Sequence, residues 1–491
     1  MDRRVVLLGL CVAWAAHGTC APSPAHAQAP APSAVTAARA ARVENGLLPG
    51  LVIAGRPAPT KSLAARMAEL KVPGVSVAVI NEGAIEWAKG YGVAEAGSAT
   101  PVTTRTLFQA ASISKPVAAL AALRLVEQGR LSLDQAVNER LASWKVPENE
   151  LTAKENVTLR RLLSHSAGLT VSGFMGYPAD APVPTLLQVL DGQKPANSAP
   201  VRVDVVPGTM WRYSGGGYTV MQQLLVDVTG QPFPSLLADT VLRPVGMADS
   251  TYAQPLPESR RASASSGHRS DGSVLAGRFL THPEMAAAGL WTTPTDLAKF
   301  LMEVQQALRG RSQILSAGMA RQMVTIQKGS HGLGPSLEGA GPLASFGHGG
   351  SNVGFKCAMT AFVESGRGAV VMANGDQGGR LAGEILRAVA AEYGWQTRQP
   401  RQKTVVALES AALARLTGRY ELRPGRILTV VLEGGTLFAV DGAQRVELFP
   451  ESPTRFFELA EEHDLEFVTG PDGAVIHMLI DGVQPARRLE R

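Results

Sequence analysis

Phe108-Gln109-Ala110-Ala111-Ser112-Ile113-Ser114-Lys115-Pro116 is the stretch on which the reading of the whole chain turns. It sets a Ser and a Lys three residues apart, ahead of an apolar run from Val117 to Leu125. At that spacing both side chains lie on one helix face, a turn apart. A serine hydroxyl is a weak nucleophile until a base takes its proton, and a lysine held neutral, or nearly so, can do this from one turn away. Pro116 is tolerated only in a first turn, so the helix is expected to begin close to Ser112. The hydroxyl then sits at the positive end of the helix dipole, where developing negative charge is favoured. With eleven lysines in the chain, one Ser-x-x-Lys arises by chance at roughly even odds. Its meaning depends on what the other segments supply.

The chain is long enough, at 491 residues with 45% apolar content, for two or three domains and a sizeable core. A net charge of +5 is modest for this length, and no basic run interleaves with aromatics, so nucleic-acid binding has no support. Arg3-Arg4, the apolar stretch Val5 to Ala16 and Ala25-His26-Ala27 read as a cleaved signal peptide over residues 1–27. Twelve apolar residues are too few for a permanent anchor. The general secretory route is preferred over twin-arginine export, and Cys20 is poorly placed for lipid attachment. Export then leaves Cys357 as the one thiol of the mature chain, which excludes an internal disulfide and a cysteine-based metal site. The expected location is periplasmic or secreted, with no transmembrane segment. Oligomeric state is left open.

Residues 28–55, rich in Ala and Pro, read as a linker. Val75 to Ile80, the turn Asn81-Glu82-Gly83 and Ala84 to Tyr91 give a hairpin signal. Short helices are expected over Leu131–Leu141 and Leu159–Leu163, and longer ones over Tyr218–Val228, Leu297–Leu308 and Leu381–Tyr393. Thr293-Pro294 supplies an N-cap with Pro at N1 for the fourth of these. Gly354–Val363 and Gly368–Ala373 read as strands. Strands at both ends of the segment with a helical middle predict one α+β domain over residues 56–395. A second linker is expected at 396–408. Over 409–491 six short alternating runs between Gly and Pro turns predict a small antiparallel β domain, barrel-like in form.

Two further segments carry chemistry. Tyr213 stands on the glycine-rich turn Tyr213-Ser214-Gly215-Gly216-Gly217 at a helix start, and Gly347-His348-Gly349-Gly350-Ser351 precedes a strand. Gly349 and Gly350 would let a ligand approach the backbone closely. With these in place, the chain from about 60 to 395 resembles the serine β-lactamase and penicillin-binding-protein superfamily in its class C-like branch, which includes esterases and D-amino-acid peptidases. The collinear segments are Leu107-Phe108, Ser112 with Lys115, Leu162 to Leu169, Pro207-Gly208 with Tyr213-Ser214, Pro244 to Met247, Gly289-Leu290-Trp291 with Asp296-Leu297, and His348-Gly349-Gly350. The tail from about Leu413 to Leu489 resembles a lipocalin-like β domain that often follows such hydrolases.

The resemblance implies a β-lactamase/transpeptidase-like antiparallel sheet flanked by helices, with a helical lobe. It implies Ser112 as nucleophile, Lys115 as the neighbouring base and Tyr213 as partner in proton transfer. The backbone N–H groups of Ser112 and Ser351 match the oxyanion hole. His348 stands where the family often has the lysine of its Lys-Thr-Gly motif. It is expected to hydrogen-bond Tyr213 and to stay neutral, offering less charge for a substrate carboxylate. His348, Gly349, Gly350 and Gly215 are the expected substrate-binding positions. Gly215 is a departure, because the tyrosine motif usually carries Asn there to orient the lysine and bind the amide of β-lactam side chains. The expected activity is ester or small-amide hydrolysis through an acyl-enzyme, with no cofactor and a small-molecule substrate. D-amino peptidase, D-Ala-D-Ala carboxypeptidase or weak β-lactamase activity is the alternative. A non-catalytic module binding cell-wall fragments or β-lactams is another. His165 is read as a structural hydrogen-bonding residue and Cys357 as packing. His268, His282, His331 and His463 show no ligand spacing, so no metal is expected.

Overall fold

The β-branched run Val75–Ile80 lies at the centre of the fold because both of its faces are buried. A computed structural model describes residues 33–489. In it Gly74–Asn81 pairs with Ala84–Gly92 as the expected hairpin, and on its other edge with Gly368–Ala373. The six-stranded antiparallel sheet runs Ala84–Gly92, Gly74–Asn81, Gly368–Ala373, Phe355–Phe362, Ser345–Asn352, Ser336–Glu338. Alternation divides its side chains between two cores. Val75, Val77 and Val79 join Val371 and Ala373 under the Gly378–Glu392 helix, which contributes Leu381, Ile385 and Val389. Ala78, Ile80, Val370 and Met372 face the larger helical lobe, built around Ser114–Glu127, Gly215–Thr229 and Pro294–Leu308. A sheet covered on both faces explains why its central strand reads as a continuous apolar run.

The expectation of a linker over residues 28–55 is corrected for its described part. Ala34–Asn45 is a helix capped by the Ser33 hydroxyl, with Ala40 and Val43 buried against the second core. Alanine is the strongest helix former, and a composition that looks like low complexity here supplies an apolar pair at helical spacing. Arg39–Glu86 (3.0 Å) and Arg42–Glu392 (2.6 Å) tie this helix to the domain. Beneath it Arg66 donates to both oxygens of Glu384 at 2.7 Å, a buried two-point pair between helices. The expected helix at Leu131–Leu141 shrinks to a 3₁₀ turn at Val137–Glu139. Its backbone instead pairs at long range, with Val137 N–H donating to Val157 O and Arg160 N–H to Leu133 O. The signal-peptide reading and Cys20 lie outside the described residues. No helix among the described residues is long and apolar enough to cross a membrane.

The tail is a closed antiparallel barrel of eight strands, two more than the alternation signalled. Gly418–Arg423 and Gln484–Leu489 are the additions, and they pair with each other to close the ring. Three of the six residues of the first and two of the six of the second are charged, and only Tyr420 and Ala486 are fully buried, with Leu422 partly so, too sparse a pattern to read. The 396–408 linker is also corrected. Arg401–Lys403 pairs in parallel with Leu51–Ile53, a contact made by polar residues through their backbones. Leu51 and Ile53 pack on Phe457 of the barrel, and Gly50 N–H donates to Glu462 at 2.5 Å.

Candidate active site

Ser112 sits in a 3₁₀ turn, Ala111–Ile113, that runs into the Ser114–Glu127 helix, so the helix begins where Pro116 requires. Ala111 has φ of +49°, a left-handed conformation that a non-glycine residue holds only when its surroundings fix it. They do so here. Ala110 N–H donates to Leu290 O at 2.8 Å, Leu290 N–H to Ser114 Oγ at 3.0 Å, and the Tyr252 hydroxyl to Ser114 O at 2.6 Å. Lys115 is 2% exposed. Its Nζ donates to Ser112 Oγ at 3.0 Å and to Ala287 O at 2.8 Å, and lies 5.0 Å from the Tyr213 ring centre. Ser112 itself is half-buried, open to an incoming group.

Tyr213 is set by the start of the next helix. Ser214 caps Gly215–Thr229, accepting from Gly217 N–H, and its own N–H donates to His165 Nδ1 at 3.1 Å. His165 therefore has the hydrogen-bonding role expected of it, and its ring lies 4.2 Å from that of Tyr213. Burial first, then the charge of Lys115, holds this imidazole well below its usual pKa. His348 is pushed down to about 3 by the same two causes, and so is neutral. The expected His348–Tyr213 hydrogen bond is corrected. His348 Nδ1 donates to its neighbour's carbonyl, Gly349 O, at 2.6 Å, and its ring centre is 6.1 Å from that of Tyr213. The imidazole is held by the backbone of its own strand and not by the tyrosine.

Gly350 brings this strand against the Ser112 turn. A Cβ there would come within 2.2 Å of Ala110 O, a backbone atom that cannot yield, so only glycine allows the approach. Asn352 Nδ2 donates to Gln109 Oε1 at 2.8 Å and locks the same junction. Gly349 and Ser351 flank the contact on the exposed side. Cys357 is buried behind it, pushed up to about 12 by burial, which suits a packing residue.

The structure gives Gly215 a physical reason. Its N–H donates to Ser172 O and Gly216 N–H to Val171 O, so segment 171–172 is zipped onto the helix start. A Cβ at Gly215 would stand 3.1 Å from both Phe174 Cε2 and Ser172 O. Phe174 occupies the volume into which an asparagine would project. Its amide is spent on Ser172, so Gly215 offers the site no free backbone donor.

Several residues at the site carried no sequence signal. Ala287 O, Phe174 and His331 come from loops and small-residue runs whose placement only tertiary packing decides. Glu284 is another, one residue before the Met285–Ala288 turn that presents Ala287 O to Lys115. It is fully buried with neither oxygen partnered among the described residues, and burial pushes its carboxyl up to about 7. The unfolded chain ionises Glu284 near pH 4.5 while the folded chain keeps the proton to about pH 7. Stability from this group is therefore unimpaired below pH 4.5, falls between those values, and is lower by about 3 kcal/mol above pH 7. Glu284→Gln should raise the thermal midpoint at pH 8 and give no gain at pH 4.5. A pH-independent difference between the two proteins would remove the titration from the account.

The two-faced antiparallel sheet, the helical lobe and the helix-borne Ser-x-x-Lys together define the β-lactamase/transpeptidase class of fold. The chain belongs to the Beta-lactamase family, whose description matches residues 60–393, and residues 402–491 match a domain of unknown function, DUF3471. It is 25% identical over 432 residues to penicillin-binding protein 4* of Bacillus subtilis, covering 81% of this chain and 91% of that one. It is 30% identical over 199 residues to esterase EstB of Burkholderia gladioli, 39% of this chain and 50% of the esterase. Among solved structures, the octameric penicillin-binding protein homologue of Pyrococcus abyssi shares the fold over 86% of this chain and 97% of its own, with TM-score 0.59 and 22% identity. The D-amino acid amidase of Ochrobactrum anthropi does so over 68% and 96%, with TM-score 0.54 and 23% identity. The chain is thus a β-lactamase-fold hydrolase related to penicillin-binding proteins and esterases.

Proposed function

We propose that this chain is an exported serine hydrolase cleaving an ester or small amide through a Ser112 acyl-enzyme. The observation that carries the reading is the 3.0 Å bond from Lys115 Nζ to Ser112 Oγ, made by a lysine sealed from solvent. Lys115, with Tyr213, takes the Ser112 proton as Oγ bonds to the carbonyl carbon. The N–H groups of Ser112 and Ser351 receive the charge that forms on the carbonyl oxygen. Tyr213 then protonates the leaving group, and water activated by Tyr213 with Lys115 or His348 releases the acid. The leader over residues 1–27 delivers the protein to the periplasm or beyond.

Two features favour neutral, apolar substrates. His348 is neutral, so the position where the family often has a lysine offers no fixed charge to a carboxylate. Met175, Met210, Trp211 and Ile326 are large apolar side chains left exposed. Trp211 lies two residues before Tyr213 with its ring 5.1 Å from that of His331, and Met175 follows Phe174. A comparison of p-nitrophenyl butyrate, nitrocefin, a D-amino acid amide and a D-Ala-D-Ala peptide tests this. The ester is expected to turn over fastest. Faster release of D-Ala or opening of nitrocefin would replace the esterase reading with the carboxypeptidase or β-lactamase one. A stable penicilloyl adduct by mass spectrometry, with no turnover of any substrate, would make the domain a binding module.

A further inference from the structure

Three histidines far apart in sequence meet beside Tyr213. His165, His331 and His348 are 2%, 7% and 8% exposed, and one ring nitrogen of each lies within 4.8 Å of the other two. Three buried ring nitrogens have no hydrogen-bond partner among the described residues: His165 Nε2, His331 Nδ1 and His348 Nε2. Leaving one buried polar atom unpaired is costly, and three converging on one point ask for a shared partner.

We propose that His331 and His348, joined by His165, bind a divalent transition ion of the nitrogen-preferring kind, Zn2+, Ni2+ or Cu2+, and that this ion shuts the hydrolase off. The tautomers rank the ligands. His348 Nδ1 donates its proton to Gly349 O, which leaves the lone pair on Nε2, and the carbonyl is the outer partner that metal-bound histidines usually have. His331 Nδ1 is free to take the same part. His165 accepts from Ser214 N–H at Nδ1, so its proton is on Nε2. To join the ion it must move that proton to Nδ1 and release Ser214, the residue that follows Tyr213. Zn–N bonds of about 2.0–2.1 Å put ligand nitrogens about 3.4 Å apart, so from separations within 4.8 Å the rings need close by no more than about 1.4 Å. Imidazole ligands and no carboxylate exclude Mg2+ and Ca2+. Binding stands apart from the proposed hydrolysis, whereas the inhibition rests on it.

The test is calorimetric titration of the full chain with ZnCl2 and NiCl2, with Co2+ absorption as a report on nitrogen ligation and MgCl2 as control. One ion per chain is expected, with affinity falling at least about tenfold in His331→Gln and again in His348→Gln. Relative to its own metal-free rate with p-nitrophenyl butyrate, His331→Gln should lose the inhibition by Zn2+ that EDTA reverses in the parent. Absence of binding overturns the proposal, as does binding unchanged in both variants, which would place the ion on another histidine. Thermal midpoints of the variants separate lost ligands from lost fold. Should the parent hydrolyse no ester, the titrations alone still decide the site.

Discussion

Ser112→Ala should lower turnover of p-nitrophenyl butyrate by roughly four orders of magnitude or more, the size seen when a nucleophile is removed from a unit acting together. The fold should be unmoved. Ser112 Oγ accepts one hydrogen bond, from Lys115 Nζ, and Lys115 keeps its second acceptor at Ala287 O. The turn is held from outside the hydroxyl, by Ala110, Ser114, Leu290 and Tyr252. Labelling by a fluorophosphonate should vanish with turnover, because both need an oxygen nucleophile at that atom. An Ser112→Ala protein that kept full activity would sink the acyl-enzyme, and with it every role assigned around Ser112.

Local signals survived the passage from sequence to structure where tertiary contacts agreed with them. The hairpin at Val75–Tyr91, the Thr293 cap and the Ser112–Lys115 face each rest on residues within a few positions of one another. The misreadings share the opposite cause. Ala34–Asn45 has a composition that serves a loop or a helix equally well, and only Ala40 and Val43 meeting the second core decide it. Arg401–Lys403 has no side-chain pattern, since it is held by a backbone pairing with a segment 350 residues away (Leu51↔Arg401). The site divides in the same way. Ser112, Lys115, Tyr213 and Gly350 stand in recognisable motifs, while His331 has no motif and meets His165 and His348 across separations of 166 and 17 residues. The His348–Tyr213 bond implied by the family resemblance is not formed: Nδ1 is taken by Gly349 O, and Nε2 meets no partner among the described residues.

Lys115→Met should cost nearly as much as Ser112→Ala, and the double variant should be no worse than either, because the two side chains perform one step. Methionine fills similar volume and removes the buried amine. The fold then loses the Lys115 bonds to Ser112 Oγ, on the half-exposed side, and to Ala287 O, whose buried carbonyl left unpaired costs about 1–3 kcal/mol. The sharper comparison is Lys115→Arg. An arginine restores positive charge at the same place, yet its guanidinium does not give up a proton in proteins and so cannot serve as a base. Were Lys115 there to hold charge near Ser112 and Tyr213, the arginine variant would recover activity that the methionine variant lacks. A base requires both variants to fail alike, with fluorophosphonate labelling of Ser112 slowed in step with turnover. Recovery in Lys115→Arg would reassign proton removal to Tyr213 and leave Lys115 a purely electrostatic part.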